Sequence, residues 1–142
     1  MLPIESLVAH RLKPSGFRKQ ARTWRRTLEH VIQVINLQKS SYDADRLYVN
    51  LGIYVRGLGD ETDPPANRCH IQARLEHVAS SRHWNEIVSL PAFCEPTESV
   101  VDALVIEGVA WLDSLVDHAA MREYAASSRS TIGLVMKEVR SL

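Results

Sequence analysis

Residues 30–41 constrain this chain more than any other stretch. His30-Val31-Ile32-Gln33-Val34-Ile35-Asn36-Leu37-Gln38-Lys39-Ser40-Ser41 holds the densest run of β-branched residues, so it reads as a central strand. It also carries amides where a central strand usually carries none. Asn36 and Gln38 are two positions apart, so in a strand they point to the same face.

The next strand follows after a short polar turn. Over residues 46–55, Leu47, Val49, Leu51, Ile53 and Val55 alternate with Tyr48, Asn50, Gly52 and Tyr54. The short connection predicts an antiparallel hairpin. With apolar faces together, Val31, Ile35 and Leu37 join Leu47, Val49 and Leu51. Asn36 and Gln38 then fall beside Tyr48 and Asn50. A slip of one residue would bury the amides, so burial should enforce this register.

The remaining segments sort around that hairpin. Ile4, Leu7, Val8 and Leu12 recur at helical spacing, and Pro14 ends the helix they predict over 3–13. The basic stretch 21–26 predicts an edge strand, where cations discourage unwanted pairing. Residues 56–67 are rich in Gly, Pro and Asp and predict a loop. Residues 68–75 alternate Cys69, Ile71, Ala73 and Leu75 with Arg68, His70, Gln72 and Arg74, a further strand whose polar set extends the amide surface. Residues 76–96 suggest a short strand or a packed loop. Thr97 predicts a helix N-cap, with a helix running to about 116. Helices over 118–126 and 131–139 are expected on the surface. The fold class is α+β: an N-terminal helix, an antiparallel sheet of about four strands, and C-terminal helices packed on the sheet, in a single domain over 1–142.

Composition bounds the function classes. The 142 residues, 45% hydrophobic and 24% charged, are those of an ordinary globular domain. No apolar run approaches the roughly 18 residues of a membrane span. The start lacks a basic segment followed by an apolar core, so a cytoplasmic location is expected. Cys69 and Cys94 are expected as free, apolar core residues, with a disulfide as the alternative. Charge is uneven: residues 1–30 carry a net of +5 and residues 85–142 a net of −5. Either the basic end meets an anionic partner, or the two ends face each other or are simply solvated. A zero total argues against a nucleic-acid partner.

Catalytic signatures are missing: there is no G-x-S-x-G, no P-loop, no G-x-G-x-x-G and no H-E-x-x-H. His70, His77 and His83 lack the close ligand pairs of structural zinc sites. No catalytic residue, metal or cofactor is therefore assigned. The candidate binding residues are Asn36, Gln38, Lys39, Ser40, Tyr48, Asn50, His70 and Arg74. Amides offer donors and acceptors, and Arg offers a fork suited to carboxylate or phosphate. Three readings stay open for this face: a solvated surface, a structural one covered by the C-terminal helices, and a ligand or partner site.

Several runs resemble the DUF4304 family. They are Lys13-Pro14-Ser15-Gly16-Phe17-Arg18-Lys19, Thr23-Trp24, Val34-Ile35-Asn36-Leu37-Gln38-Lys39-Ser40 and Tyr48-Val49-Asn50-Leu51-Gly52-Ile53. The resemblance covers residues 5–90 and, more loosely, the C-terminal helices. It implies a small, cytoplasmic, bacterial α+β domain with no established activity. It marks Asn36, Gln38, Lys39, Ser40 and Asn50 as motif positions. The leading expectation is a non-enzymatic protein-interaction or regulatory module, immunity-like by analogy. The alternative is an enzyme or sensor that binds an anionic small molecule such as a nucleotide. A homodimer through the sheet face is a third arrangement.

Overall fold

The β-branched run folds as strand β3, Val31–Lys39, and the alternating run as β4, Leu47–Val55. They pair antiparallel from Val31 opposite Val55 to Lys39 opposite Leu47. Asn36 stands across from Asn50 and Gln38 across from Tyr48, the register that burial predicts. In this computed structural model, which describes residues 1–142, one antiparallel sheet has six strands in chain order. The others are β1 (Arg18–Gln20), β2 (Thr23–Thr27), β5 (Ile71–Arg74) and β6 (Leu134–Val135).

The sheet is wider than about four strands for two reasons. The basic segment is itself a hairpin. Gln20 pairs with Thr23, and Ala21 at the turn takes φ +52°, the left-handed conformation that two-residue hairpin turns use. β2 therefore lies between β1 and β3, and the exposed β1 is the edge. The other addition is β6. The helix expected over 131–139 is replaced by 3₁₀ turns at Ser128–Ile132 and Lys137–Ser141, with β6 between them. Ile71 pairs with Val135, so the tail completes the open edge of β5, a non-local gain no helical pattern records.

One face of the sheet carries the main core. Helix α1 (Pro3–Leu12) lays Ile4, Val8 and Leu12 against it. Short helices α2 (Leu75–Val78) and α3 (Trp84–Val88) stand where a short strand or a packed loop was expected. The long helix is present as α4 (Glu98–Asp102) and α5 (Val109–Asp113), joined by a π-helical segment, Ala103–Gly108. The Thr97 hydroxyl caps it by accepting the Val100 N–H at 3.3 Å. Helix α6 (His118–Ala126) has the expected limits but is not superficial, because Met121, Tyr124 and Ala125 are buried in the core. No helix is long and apolar enough to cross a membrane.

A single amide interrupts that core. Gln33 lies between Val31 and Ile35 and is 0% exposed. Its Nε2 donates to Asp113 Oδ1 at 2.8 Å, and its Oε1 accepts from Arg26 Nε at 2.8 Å. Arg26 Nη2 closes the ring on Asp113 Oδ1 at 2.6 Å. Arg11 likewise reaches Asp102 at 2.9 Å. The basic beginning and the acidic end thus meet across the fold, which accounts for part of the charge asymmetry.

Removing the Asp113 acceptor leaves a fully buried amide donor without a partner. Asp113→Ala should cost about 1–3 kcal/mol in chemical denaturation, and Asp113→Asn, which keeps an acceptor oxygen, distinctly less. Equal stabilities for all three proteins would show that the ring does not hold α5 to the sheet.

Candidate functional site

The other face of the sheet is divided. Its first half is closed by the segment between β4 and β5. Cys69 packs there with Ile32, Val34 and Tyr54 in a separate small cluster. Arg25 Nε donates to the Pro64 carbonyl at 2.9 Å, and the Glu61 N–H donates to Tyr54 Oη at 3.2 Å. A side chain at Gly52 would put its Cβ 2.6 Å from Cys69 Sγ, so only glycine lets this segment lie down. Cys69 was expected on the core face with Ile71. The strand begins only at Ile71, so alternation does not extend back to Cys69, which faces the opposite way. Burial pushes its thiol up to about 12, leaving it protonated and inert. Cys94, also expected in the core, is exposed; both cysteines are free.

The second half is open. The C-terminal helices pack on the opposite face, so the reading in which they cover the amides does not hold. Asn36, Gln38, Asn50, Gln72 and Arg74 line a concavity of about 620 Å³. Thr23 floors it from β2, Pro65–Asn67 and Ile132–Leu134 form its walls, and His77 joins the lining. Cross-strand pairing brings these residues together: Thr23 opposite Asn36, Asn36 opposite Asn50, Asn50 opposite Arg74.

The amides are bonded to one another, which fixes their orientation. Asn50 Nδ2 donates to Asn36 Oδ1 at 3.1 Å and to Gln38 Oε1 at 2.9 Å. Asn36 Nδ2 donates to Thr23 Oγ1 at 3.0 Å, and Gln72 Nε2 to the Cys69 carbonyl at 2.9 Å. Asn50 thereby uses both amide hydrogens and keeps Oδ1 as an acceptor. Gln38 keeps its NH₂ as a donor. The pair can meet an amide-like edge.

Arg74 supplies the charge. Its guanidinium carbon lies 3.9 Å from the centre of the Tyr48 ring, and it forms no ion pair with any carboxylate. Stacking of this kind orients the cation and leaves its in-plane N–H groups free.

Three predicted residues are elsewhere. Lys39 alternates to the other side of β3 and sits over Phe93, 5.2 Å from the ring centre. Ser40 accepts the Tyr42 and Asp43 N–H groups, both at 3.2 Å, and so builds the hairpin turn. His70, 7% exposed, precedes β5; its Nδ1 accepts the Val55 N–H at 2.9 Å and its ring lies on Tyr54. Strand alternation placed it on the amide face, but the backbone bends before β5 and turns it into a structural bond.

Sequence reasoning missed Thr23, Asn67, His77 and 132–134 as cleft residues. Thr23 shares the alternation of its strand, but the β2–β3 register that puts it beside Asn36 is not local. A two-residue strand such as β6 leaves no periodic signal.

A second polar cluster lies on the helical side. His83 Nδ1 is 3.0 Å from Ser99 Oγ, and Nε2 is 3.2 Å from Glu107 Oε2. Glu107 Oε1 also accepts the Ser80 N–H at 2.7 Å. Arg82, Glu98 and Asp102 line the same concavity, and Asp102 is paired with Arg11. The contacts of His83 and Glu107 clasp the 79–83 loop to the long helix. His70, His77 and His83 thus go to separate places, and no three His, Cys, Asp or Glu side chains converge as a metal site would need.

Residues 8–130 match the family described as Domain of unknown function (DUF4304). The chain belongs to the DUF4304 family. No curated protein and no solved structure matches it. In this DUF4304 domain the motif positions divide: Asn36, Gln38 and Asn50 build the cleft, whereas Lys39 and Ser40 finish the hairpin.

Burial holds the His70 pKa below the ordinary value near 6.5. The neutral ring is the one that accepts from Val55. Stability from this group is complete above the unfolded value and is lost as pH falls through the depressed folded one. Thermal unfolding followed from pH 8 to pH 5 should show the midpoint falling below about pH 6.5, with a shallower fall in His70→Gln. Identical profiles would place the acid sensitivity elsewhere.

Proposed function

We propose that this DUF4304 domain is a binding module whose amide-lined cleft holds a polar small molecule bearing an anionic group. The observation that carries the reading is Arg74, set in the concavity with no protein carboxylate on it, beside the oriented amides of Gln38 and Asn50. The volume, about 620 Å³, is in the range of small-molecule sites. Recognition fits the lining better than catalysis does: Arg74 and His77 are its only titratable groups, with no serine, cysteine or carboxylate among the lining residues. Side chains held by strands and by each other lose little freedom on binding, which favours affinity.

A protein partner at the same end of the sheet is the second reading. Tyr42 is 97% exposed and Phe93 57% exposed, and aromatic residues are enriched at interfaces. A regulatory or immunity-like role would use such a surface, with the cleft receiving a side chain of the partner.

A thermal-shift panel of nucleotides and phosphorylated metabolites tests the first reading. At ligand concentrations about a hundredfold above Kd, stabilisation should approach about 2.7 kcal/mol, several degrees in midpoint. The combined variant Asn36→Ala, Gln38→Ala, Arg74→Ala should fold and lose that shift. A panel without any response, together with a purified partner bound by wild type and not by the variant, would favour the second reading.

A further inference from the structure

We propose that the anionic group of the cleft's ligand is a phosphomonoester, held by Arg46 and Arg74, whose guanidiniums both lie within 5.0 Å of the Tyr48 ring centre. This rests on the cleft reading above and specifies its charged end.

Arg46 immediately precedes β4 and does not itself line the cleft; the Tyr48 ring links it to Arg74, which does. The Arg46 backbone is fixed: the N–H donates to the Asp43 carbonyl at 3.0 Å, the carbonyl accepts from Ser40 at 2.9 Å, and the residue bridges to Pro91. Its guanidinium carbon lies 5.0 Å from the Tyr48 ring centre, against 3.9 Å for Arg74. The separation of the two cations therefore cannot exceed the sum of those distances, within about one Debye length at physiological salt, so they repel. Arg46 and Arg74, like most arginines of this chain, meet no carboxylate, but they are the two that share one aromatic ring. Arg46 Nε is moreover shielded from water without a hydrogen-bond partner.

Two unneutralised guanidiniums on one ring call for a compact anion of matching charge. A carboxylate carries one charge and is satisfied by one fork. A phosphomonoester carries about −1.5 to −2 at pH 7 and three acceptor oxygens, enough for both. Next to this end, Asn50 Oδ1 and the Gln38 NH₂ group accept a donor and donate to an acceptor. The ligand class is a phosphomonoester on a body with an amide-like edge, a description that a pyrimidine nucleoside monophosphate meets.

NMR of ¹⁵N-labelled protein tests this through the arginine Nε–H and the Asn and Gln side-chain amide signals. Inorganic phosphate, acetate at equal ionic strength, uridine and uridine monophosphate are the probes. Phosphate should shift the Arg46 and Arg74 signals saturably, about tenfold more tightly than acetate, and Arg46→Gln or Arg74→Gln should each weaken phosphate about tenfold. Uridine monophosphate should shift the Gln38 and Asn50 amides as well. Arginine signals that do not respond to phosphate, or respond equally to acetate, overturn the phosphomonoester assignment. If acetate moves the Arg74 signal saturably and as strongly as phosphate does, the cleft reading survives that failure. Backbone spectra establish that each variant is folded; if Arg46→Gln is not, Arg74→Gln carries the comparison.

Discussion

The pairing of β3 with β4 in one register is the constraint on which the rest of the structure depends. It puts Val31, Ile35, Leu37, Val49, Leu51 and Ile53 on one face, and every helix that packs on the sheet does so there. The opposite face is then left with whatever the intervening positions supply. In the first half these are Ile32, Val34 and Tyr54, which recruit a covering segment; in the second they are Asn36, Gln38, Tyr48 and Asn50, which do not. A slip of β3 by one residue would exchange its faces and bury the amides of Asn36 and Gln38, at a cost no turn preference could offset.

Polar residues do two different jobs on this sheet. Gln33 is inside the core and has both ends of its amide matched, by Arg26 and Asp113, so it acts as a fastener between β2, β3 and α5. The amides of the open cleft are oriented by one another, by Thr23 and by the Cys69 carbonyl, and Asn50 Oδ1 and the Gln38 NH₂ group retain capacity. The first arrangement is what an interior demands of a buried polar group; the second is what a binding surface needs, since orientation is set before a ligand arrives. The same contrast separates Arg26, neutralised by Asp113, from Arg74, stacked on Tyr48 without a counter-charge.

Much of the fold was legible because its signals are local. Alternation located β3 and β4, the Thr97 cap located α4, and the limits of α6 followed from the chain itself. The central cleft residues were legible for the same reason: Asn36, Gln38 and Asn50 follow from strand period plus a short hairpin. What failed depended on backbone bends or distant pairing. His70 and Cys69 precede β5 by one and two residues, and there the period of two no longer applies. β1 and β6 are short, and each is stabilised by pairing with a strand already in place rather than by its own pattern. The burial of α6 came from Met121, Tyr124 and Ala125, a narrow stripe whose partners lie elsewhere in the chain.

By itself the sequence determined the central hairpin, its two unlike faces and the membership of the DUF4304 family, because side-chain period, turn length and motif are properties of neighbouring residues. Only the tertiary structure decided which face the helices cover, that the 56–70 segment and the C-terminal strand wall in the amides, and that Arg46 and Arg74 share the Tyr48 ring. Those outcomes depend on where apolar area and unpaired strand edges are best buried across the whole chain, a global balance that no local window contains.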